Sequence, residues 1–173
     1  AACLTIRDGS LSGEPAAMLV AQLPVEFLVV HEVSNTDAVA KELTGSDTLK
    51  WSSFDDCDLT DDGVHELPLE QLYSLSVPDT KVTSAGLKEL HRCKELRCLA
   101  LDGRQFDDEV AAVVRALPKL VRFRVRGTDV TDEHLERLRQ LGVEELYLEQ
   151  TSASREGVAS LKQAMPRCKV FVQ

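Results

Sequence analysis

The sequence predicts an α/β solenoid: one right-handed coil of eight parallel strands on the concave side and seven helices on the convex side. Three observations lead there. The first is an apolar signature, with apolar residues at its first, fourth and sixth positions, that recurs about every 24 residues. It is read at Val25/Leu28/Val30, Leu72/Leu75/Val77, Leu96/Leu99/Leu101, Leu120/Phe123/Val125 and Val143/Leu146/Leu148, with weaker copies at Leu4/Ile6, Leu49/Ser52/Phe54 and Val170/Val172. The second is a loop-to-helix element in fixed phase with it: Leu59-Thr60-Asp61-Asp62-Gly63-Val64, Val82-Thr83-Ser84-Ala85-Gly86-Leu87 and Val130-Thr131-Asp132-Glu133-His134-Leu135. The third is an apolar pair at helical spacing after each loop: Ala16/Leu19, Ala40/Leu43, Val64/Leu67, Leu87/Leu90, Ala111/Val114, Leu135/Leu138 and Val158/Leu161.

Residues 72–96 show how one repeat works. Leu75 and Val77 alternate with Ser74 and Ser76, so this stretch is a short strand with one buried face. Pro78 ends the pairing because it has no N–H to give to a ladder. Val82 is the next buried position, and Thr83 caps the N–H groups of the following helical turn. Leu87 and Leu90 turn inward, and Cys93 and Leu96 lead into the next strand. In the other loops a carboxylate follows the cap, where the helix dipole favours negative charge. A strand, a helix and a parallel neighbouring strand coil right-handed. No repeat buries enough apolar surface to fold alone, so stability comes from stacking.

The same residues resemble the leucine-rich repeat family, in its short bacterial form with the pattern L-x-x-L-x-L-x-x-T-x-V-T-D-x-G-L-x-x-L. The match runs through Leu72–Leu90, Leu96–Leu117 and Leu120–Leu138, with Thr80, Thr128 and Thr151 at the loop threonine. Met165–Val172 is similar to the closing segment of such proteins. The departures are Ser52 in a core slot, Asn35 where Leu or Val is expected, and Arg104-Gln105 in place of the loop threonine. They leave the register of the second and third repeats open.

Composition bounds the function. The 173 residues form a single domain, 43% apolar and 28% charged, which can bury a core. No apolar run reaches the roughly 18–20 residues of a membrane span. A net charge of −9 argues against nucleic acid, whose phosphates need a clustered basic surface. The chain opens directly on strand-like Cys3-Leu4-Thr5-Ile6, which reads as a section of a longer protein. Its five cysteines, Cys3, Cys57, Cys93, Cys98 and Cys168, have no metal-site spacing. Repeat geometry puts Cys3 and Cys98 about 19 Å apart, too far for a disulfide. Free thiols are expected, tilting the compartment slightly toward the reducing cytoplasm.

No catalytic constellation is present, and neither a cofactor nor a metal is expected. Asp56–Gly63 hints at a calcium loop, but Asp61 stands where such a loop needs Gly, and Leu67 where it needs Glu. The four histidines fall in different repeats. Gly9 and Gly13 do not make a phosphate loop.

Function is therefore sought on the concave strand positions, the usual binding face of a solenoid. They read Cys3, Thr5, Arg7; Phe27, Val29, His31; Trp51, Ser53, Asp55; Ser74, Ser76, Pro78; Cys98, Ala100, Asp102; Arg122, Arg124, Arg126; Glu145, Tyr147, Glu149; Lys169, Phe171, Gln173. Two groups stand out. Phe27, Val29 and Trp51, with His31 and Asp55 beside them, form an apolar patch fit to anchor a partner. Alternatively, an upstream segment covers the patch, or Trp51 belongs to the core in a shifted register. The second group is Arg122, Arg124 and Arg126, either a clamp for an anion or a ladder satisfied by Glu145, Tyr147, Glu149 and Asp102. The expected function is non-catalytic recognition of a protein partner through the concave sheet. The alternative is a structural or regulatory section of a multidomain protein, packed on its own neighbouring domain. The first strand has no capping helix before it, so self-association is expected at the N-terminal edge.

Overall fold

The computed structural model describes residues 2–7, 13–127 and 129–173. Gly9 and the expected loop residue Thr128 lie outside the described residues. Eight strands form one parallel sheet in chain order. They are β1 (Ala2–Arg7), β2 (Val25–His31), β3 (Trp51–Asp55), β4 (Ser74–Ser76), β5 (Cys98–Asp102), β6 (Arg122–Arg126), β7 (Glu145–Glu149) and β8 (Lys169–Val172). Seven α-helices alternate with them among the described residues: α1 (Gly13–Gln22), α2 (Thr36–Glu42), α3 (Asp61–Glu66), α4 (Ser84–Leu87), α5 (Asp108–Arg115), α6 (Asp132–Leu138) and α7 (Arg155–Ala164). The architecture is an α/β repeat solenoid.

The strands pair in the register of the repeat. Phe27 faces Trp51, Trp51 faces Ser74, Cys98 faces Arg122 and Arg122 faces Glu145. The second and third repeats keep the common register: Ser52 occupies the core slot between Leu28 and Leu75, and Phe54 and Leu49 are fully buried around it. The Ser52 hydroxyl has no hydrogen-bond partner there. Val33 is buried like its repeat equivalent Cys57, while position 35, which corresponds to the buried Leu59, is exposed. Asn35 instead takes a left-handed conformation (φ 57°) before α2, which that side chain tolerates better than most.

One face of the sheet packs on the helices. Leu28, Val30, Leu75, Val77, Leu99, Leu101, Phe123, Val125, Leu146 and Leu148 share one continuous core with Val39, Val64, Leu87, Leu90, Val114, Leu135, Leu138 and Leu161. Burying each large side chain contributes ~1.5–3 kcal/mol before chain entropy is subtracted. One expected pairing fails: in α1, Ala16, Ala17 and Val20 turn inward, which rotates Leu19 out to 38% exposure. Met18 and Leu23 are also exposed beside it.

A recurrent joint locks the helix starts together. The Asp37 carboxylate accepts the Thr60 N–H (2.9 Å) and hydroxyl (2.6 Å) of the next repeat. Asp61 does the same for Thr83, and Asp132 for Ser154. The glycine three residues past each cap faces that carboxylate. A Cβ on Gly63, Gly86 or Gly157 would collide with Asp37, Asp61 or Asp132 respectively. Thus the cap residue, the acid after it and the glycine are one device read across two repeats. Strand exits share a second device: Glu32, Asp56, Asp79 and Gln150 leave the sheet with φ of 53–55°, and Gly127 with a φ of 114°. The fifth repeat replaces this turn with a 3-10 turn over Gly103–Gln105.

Candidate functional site

Each strand sends alternate side chains to the face away from the helices, and the register sorts them into rows across the sheet. One row runs Cys3, Phe27, Trp51, Ser74, Cys98, Arg122, Glu145, Lys169. The next runs Thr5, Val29, Ser53, Ser76, Ala100, Arg124, Tyr147, Phe171. The third holds Arg7, His31 and Asp55 on β1–β3 and Asp102, Arg126 and Glu149 on β5–β7. Trp51 therefore sits on this open face, 38% exposed, and not in the core.

The rows enclose a trough. Its floor is small: Ser53, Ser74, Ser76, Cys98 and Ala100. On one side stand Phe27, Val29 and Trp51, with the Phe27 and Trp51 rings stacked at 5.7 Å between centroids. On the other stand Arg122, Arg124 and Tyr147, and the cavity between the two walls has a volume of about 420 Å³. Asp55 lines the trough as well and accepts a hydrogen bond from the Ser76 hydroxyl at 2.7 Å. His31 is half-buried, 3.9 Å from Glu32, and is not part of the lining.

The arginine wall is tied into its neighbours. Arg122 Nε donates to Glu145 at 2.6 Å, which holds the Glu145 carboxyl below its ordinary range. Arg124 Nε lies 3.1 Å from Glu149, and its guanidinium covers the Tyr147 ring at 5.3 Å. Tyr147 in turn stacks on Phe171 at 4.7 Å. Two expected partners of the ladder differ. Arg126 donates to Asp79 at 2.6 Å, reaching a loop two strands away, instead of bonding Glu149. Asp102 is 2% exposed and does not present its carboxylate to Arg126. It caps the 3-10 turn through the Gln105 N–H at 3.1 Å and accepts from the Asp79 N–H and from Arg104. Gln105, in place of the loop threonine, turns inward and donates to the Val77 and Val82 carbonyls. Pro78, counted on the open face, is buried beyond the end of β4.

Beside the trough lies a rim that the strand pattern did not single out, because it belongs to the residues just before each strand. Lys50, Tyr73, Arg97 and Val121 are linked in succession by backbone hydrogen bonds of 2.8–2.9 Å. Lys50 Nζ stands 5.9 Å from the Tyr73 ring centroid and Arg97 Cζ 5.5 Å, one from each neighbouring repeat. The 24-residue period applied one position earlier would have revealed this row.

The acidic loop Asp56–Gly63 is spent on joints. Burial alone would raise the Asp58 carboxyl. The N–H groups of Thr36 and Asn35 and the Thr36 hydroxyl outweigh it, and the net shift is downward. Among the described residues no three His, Cys, Asp or Glu side chains converge to hold a metal ion, and no helix is long and apolar enough to cross a membrane. The five cysteines are unpaired. Cys93 is buried, which pushes its thiol up to about 12. Compared with models of known protein families and with curated proteins, the chain matches none.

Proposed function

We propose that the chain is a leucine-rich repeat module of the short bacterial type that binds a protein partner, without catalysis, through the open face of its sheet. The observation that carries this reading is the trough: a floor of small residues between an aromatic wall at Phe27 and Trp51 and a polar wall at Arg122, Arg124 and Tyr147. An apolar side chain of a partner loses water against Trp51, while its polar groups meet the far wall. The repeat signature and the Thr-Asp/Gly joint support the family reading.

The test is affinity capture from native lysate with the immobilised chain. Ala100→Arg fills the trough floor, Trp51→Ala removes the anchor, and Lys162→Ala on α7 is the control. A partner kept by wild type and the control but lost by both trough variants supports the reading. A partner kept by all four overturns it. A second reading, packing against a neighbouring domain or a second copy, is favoured by the N-terminal end, where Met18, Leu19 and Leu23 are exposed. Sedimentation at increasing concentration, with wild type against Met18→Lys, separates self-association from a foreign partner.

A further inference from the structure

The trough and the rim meet at Trp51, Cys98 and Arg122, which line both. The rim pocket, about 370 Å³, adds Tyr73, Arg97 and Val121 to these three. It sets Arg97 and Arg122 beside the aromatic rings of Trp51 and Tyr73. The chain carries a net charge of −9, and several of its cations are tied to acids, as in Lys88–Glu109, Arg122–Glu145, Arg124–Glu149 and Arg137–Asp108. Arg97 is exposed, and among the described residues no carboxylate lies within ion-pair distance of it. Lys50 likewise has only neutral acceptors, the Asp47 carbonyl and the Gln71 amide. Both cations are held in place by the ring of Tyr73, which spares the entropy of ordering them when a ligand arrives.

We propose that the partner segment recognised here is an acidic peptide carrying a large apolar side chain. This deepens the protein-recognition reading above and rests on it. The apolar side chain lies against Trp51 over the small floor, and a carboxylate meets Arg97 and Arg122 at the rim. An arginine fork binds carboxylate with two directed N–H groups, and Arg122 uses only its Nε on Glu145. An elongated ligand is required because the trough is lined from β2 to β7, about 24 Å at the usual strand spacing. A nucleic acid fits poorly. The rim row ends in Glu26 and Glu144, and a run of phosphates would meet those carboxylates as well as the overall negative charge.

Trp51 is the only tryptophan, so its emission reports directly on the site. The full chain is titrated with the blocked peptide Ac-Asp-Glu-Leu-Phe-Asp-amide, with its counterpart carrying Lys at the three acidic positions, and with inorganic phosphate. The acidic peptide is expected to change Trp51 emission saturably. Arg97→Gln, with an unchanged melting curve, is expected to weaken it about tenfold, the size of one charge-assisted hydrogen bond. Arg155→Gln on α7 is expected to change nothing, and raising the salt to weaken binding several-fold. The proposal is overturned if the acidic peptide gives no saturable change up to about 1 mM. It is equally overturned if the lysine peptide or phosphate binds as well, or if Arg97→Gln binds like wild type. A lysate partner lost by Ala100→Arg but kept by Arg97→Gln would leave the recognition reading standing while this inference fails.

Discussion

At the starts of α3, α4 and α7, the same atoms meet. A carboxylate from one repeat accepts the N–H and hydroxyl of the next cap, and a glycine leaves it room, at Asp37/Thr60/Gly63, Asp61/Thr83/Gly86 and Asp132/Ser154/Gly157. On the open face no such repetition exists. The single row through Phe27, Trp51, Ser74, Cys98, Arg122 and Glu145 passes from aromatic to small to cationic to anionic. Stacking constrains how each repeat meets its neighbours, so one solution recurs, while α5 and α6 are capped from within their own repeat by Asp107 and His134. A face that stacks on nothing is free to differ at every strand. The comparison teaches that repetition marks what holds the solenoid, and departure from repetition marks where a partner can be read.

Breaking a joint should have the largest effect on stability. Gly86→Ala in an ordinary helix would be neutral or stabilising by ~0.5–1 kcal/mol. Here the new Cβ meets the Asp61 carboxylate and also its Cα, which cannot swing away. We expect a loss of about 2 kcal/mol, seen as a fall of roughly 4–8 °C in melting temperature. The penalty should shrink in an Asp61→Ala background, since the two residues share one space. A neutral Gly86→Ala would remove the steric half of the joint from the argument.

The opposite sign is expected at Ser52, the one core slot of the sheet held by a hydroxyl without a partner. Ser52→Ala removes a desolvated polar group at little loss of packing and should stabilise by about 1 kcal/mol in denaturant titration. Destabilisation would mean that the hydroxyl is satisfied in solution. Because Ser52 faces away from the trough, partner capture should not change.

Much of this was legible because a solenoid turns sequence period into spatial register. The rows of the open face, the placing of Trp51 beside Phe27, and the pairing of Arg122 with Glu145 all follow from counting. What escaped the count were contacts that leave the row. Arg126 finds Asp79 in a loop two strands away, and Asp102 is drawn inward by a turn that, among the described strand exits, the fifth repeat alone makes. Leu19 was misassigned because Ala16, Ala17 and Val20 offer an equally good inward stripe, and helix spacing alone cannot rank two stripes of similar hydrophobicity. The left-handed strand exits were hidden because Glu32 and Gln150 are not residues that announce positive φ, although Asp56 and Asp79 tolerate it better.

Acid should weaken the tie that Asp58 makes to the start of α2. The Asp58 carboxyl is lowered in the fold, so its contribution is present above the unfolded carboxylate value and is lost as pH falls through the folded one. Asp58→Asn should therefore lower stability at neutral pH and flatten the acid limb of the stability curve in urea titrations. An unchanged acid limb would show that the bonds from Asn35 and Thr36 carry no net free energy.

The smallest effect is expected at Arg124, and its smallness is the point. Its guanidinium reaches Glu149 at 3.1 Å and covers Tyr147, but it is 49% exposed, so water and salt screen the pair. Exposed ion pairs contribute ~0–1 kcal/mol, and Arg124→Ala should cost no more than about 0.5 kcal/mol. The joints would lose several times that, although the Asp61–Thr83 contacts at 2.7 Å are no shorter than the Arg122–Glu145 pair at 2.6 Å. The difference lies in steric room: a Cβ on Gly86 meets the Asp61 backbone, which cannot move aside, whereas Glu149 freed of Arg124 turns to solvent. If Arg124→Ala destabilised as much as Gly86→Ala, the open face would be part of the scaffold after all. The contrast between a repeated joint and a freely varied face would then fail at the strand where it is most exposed to test.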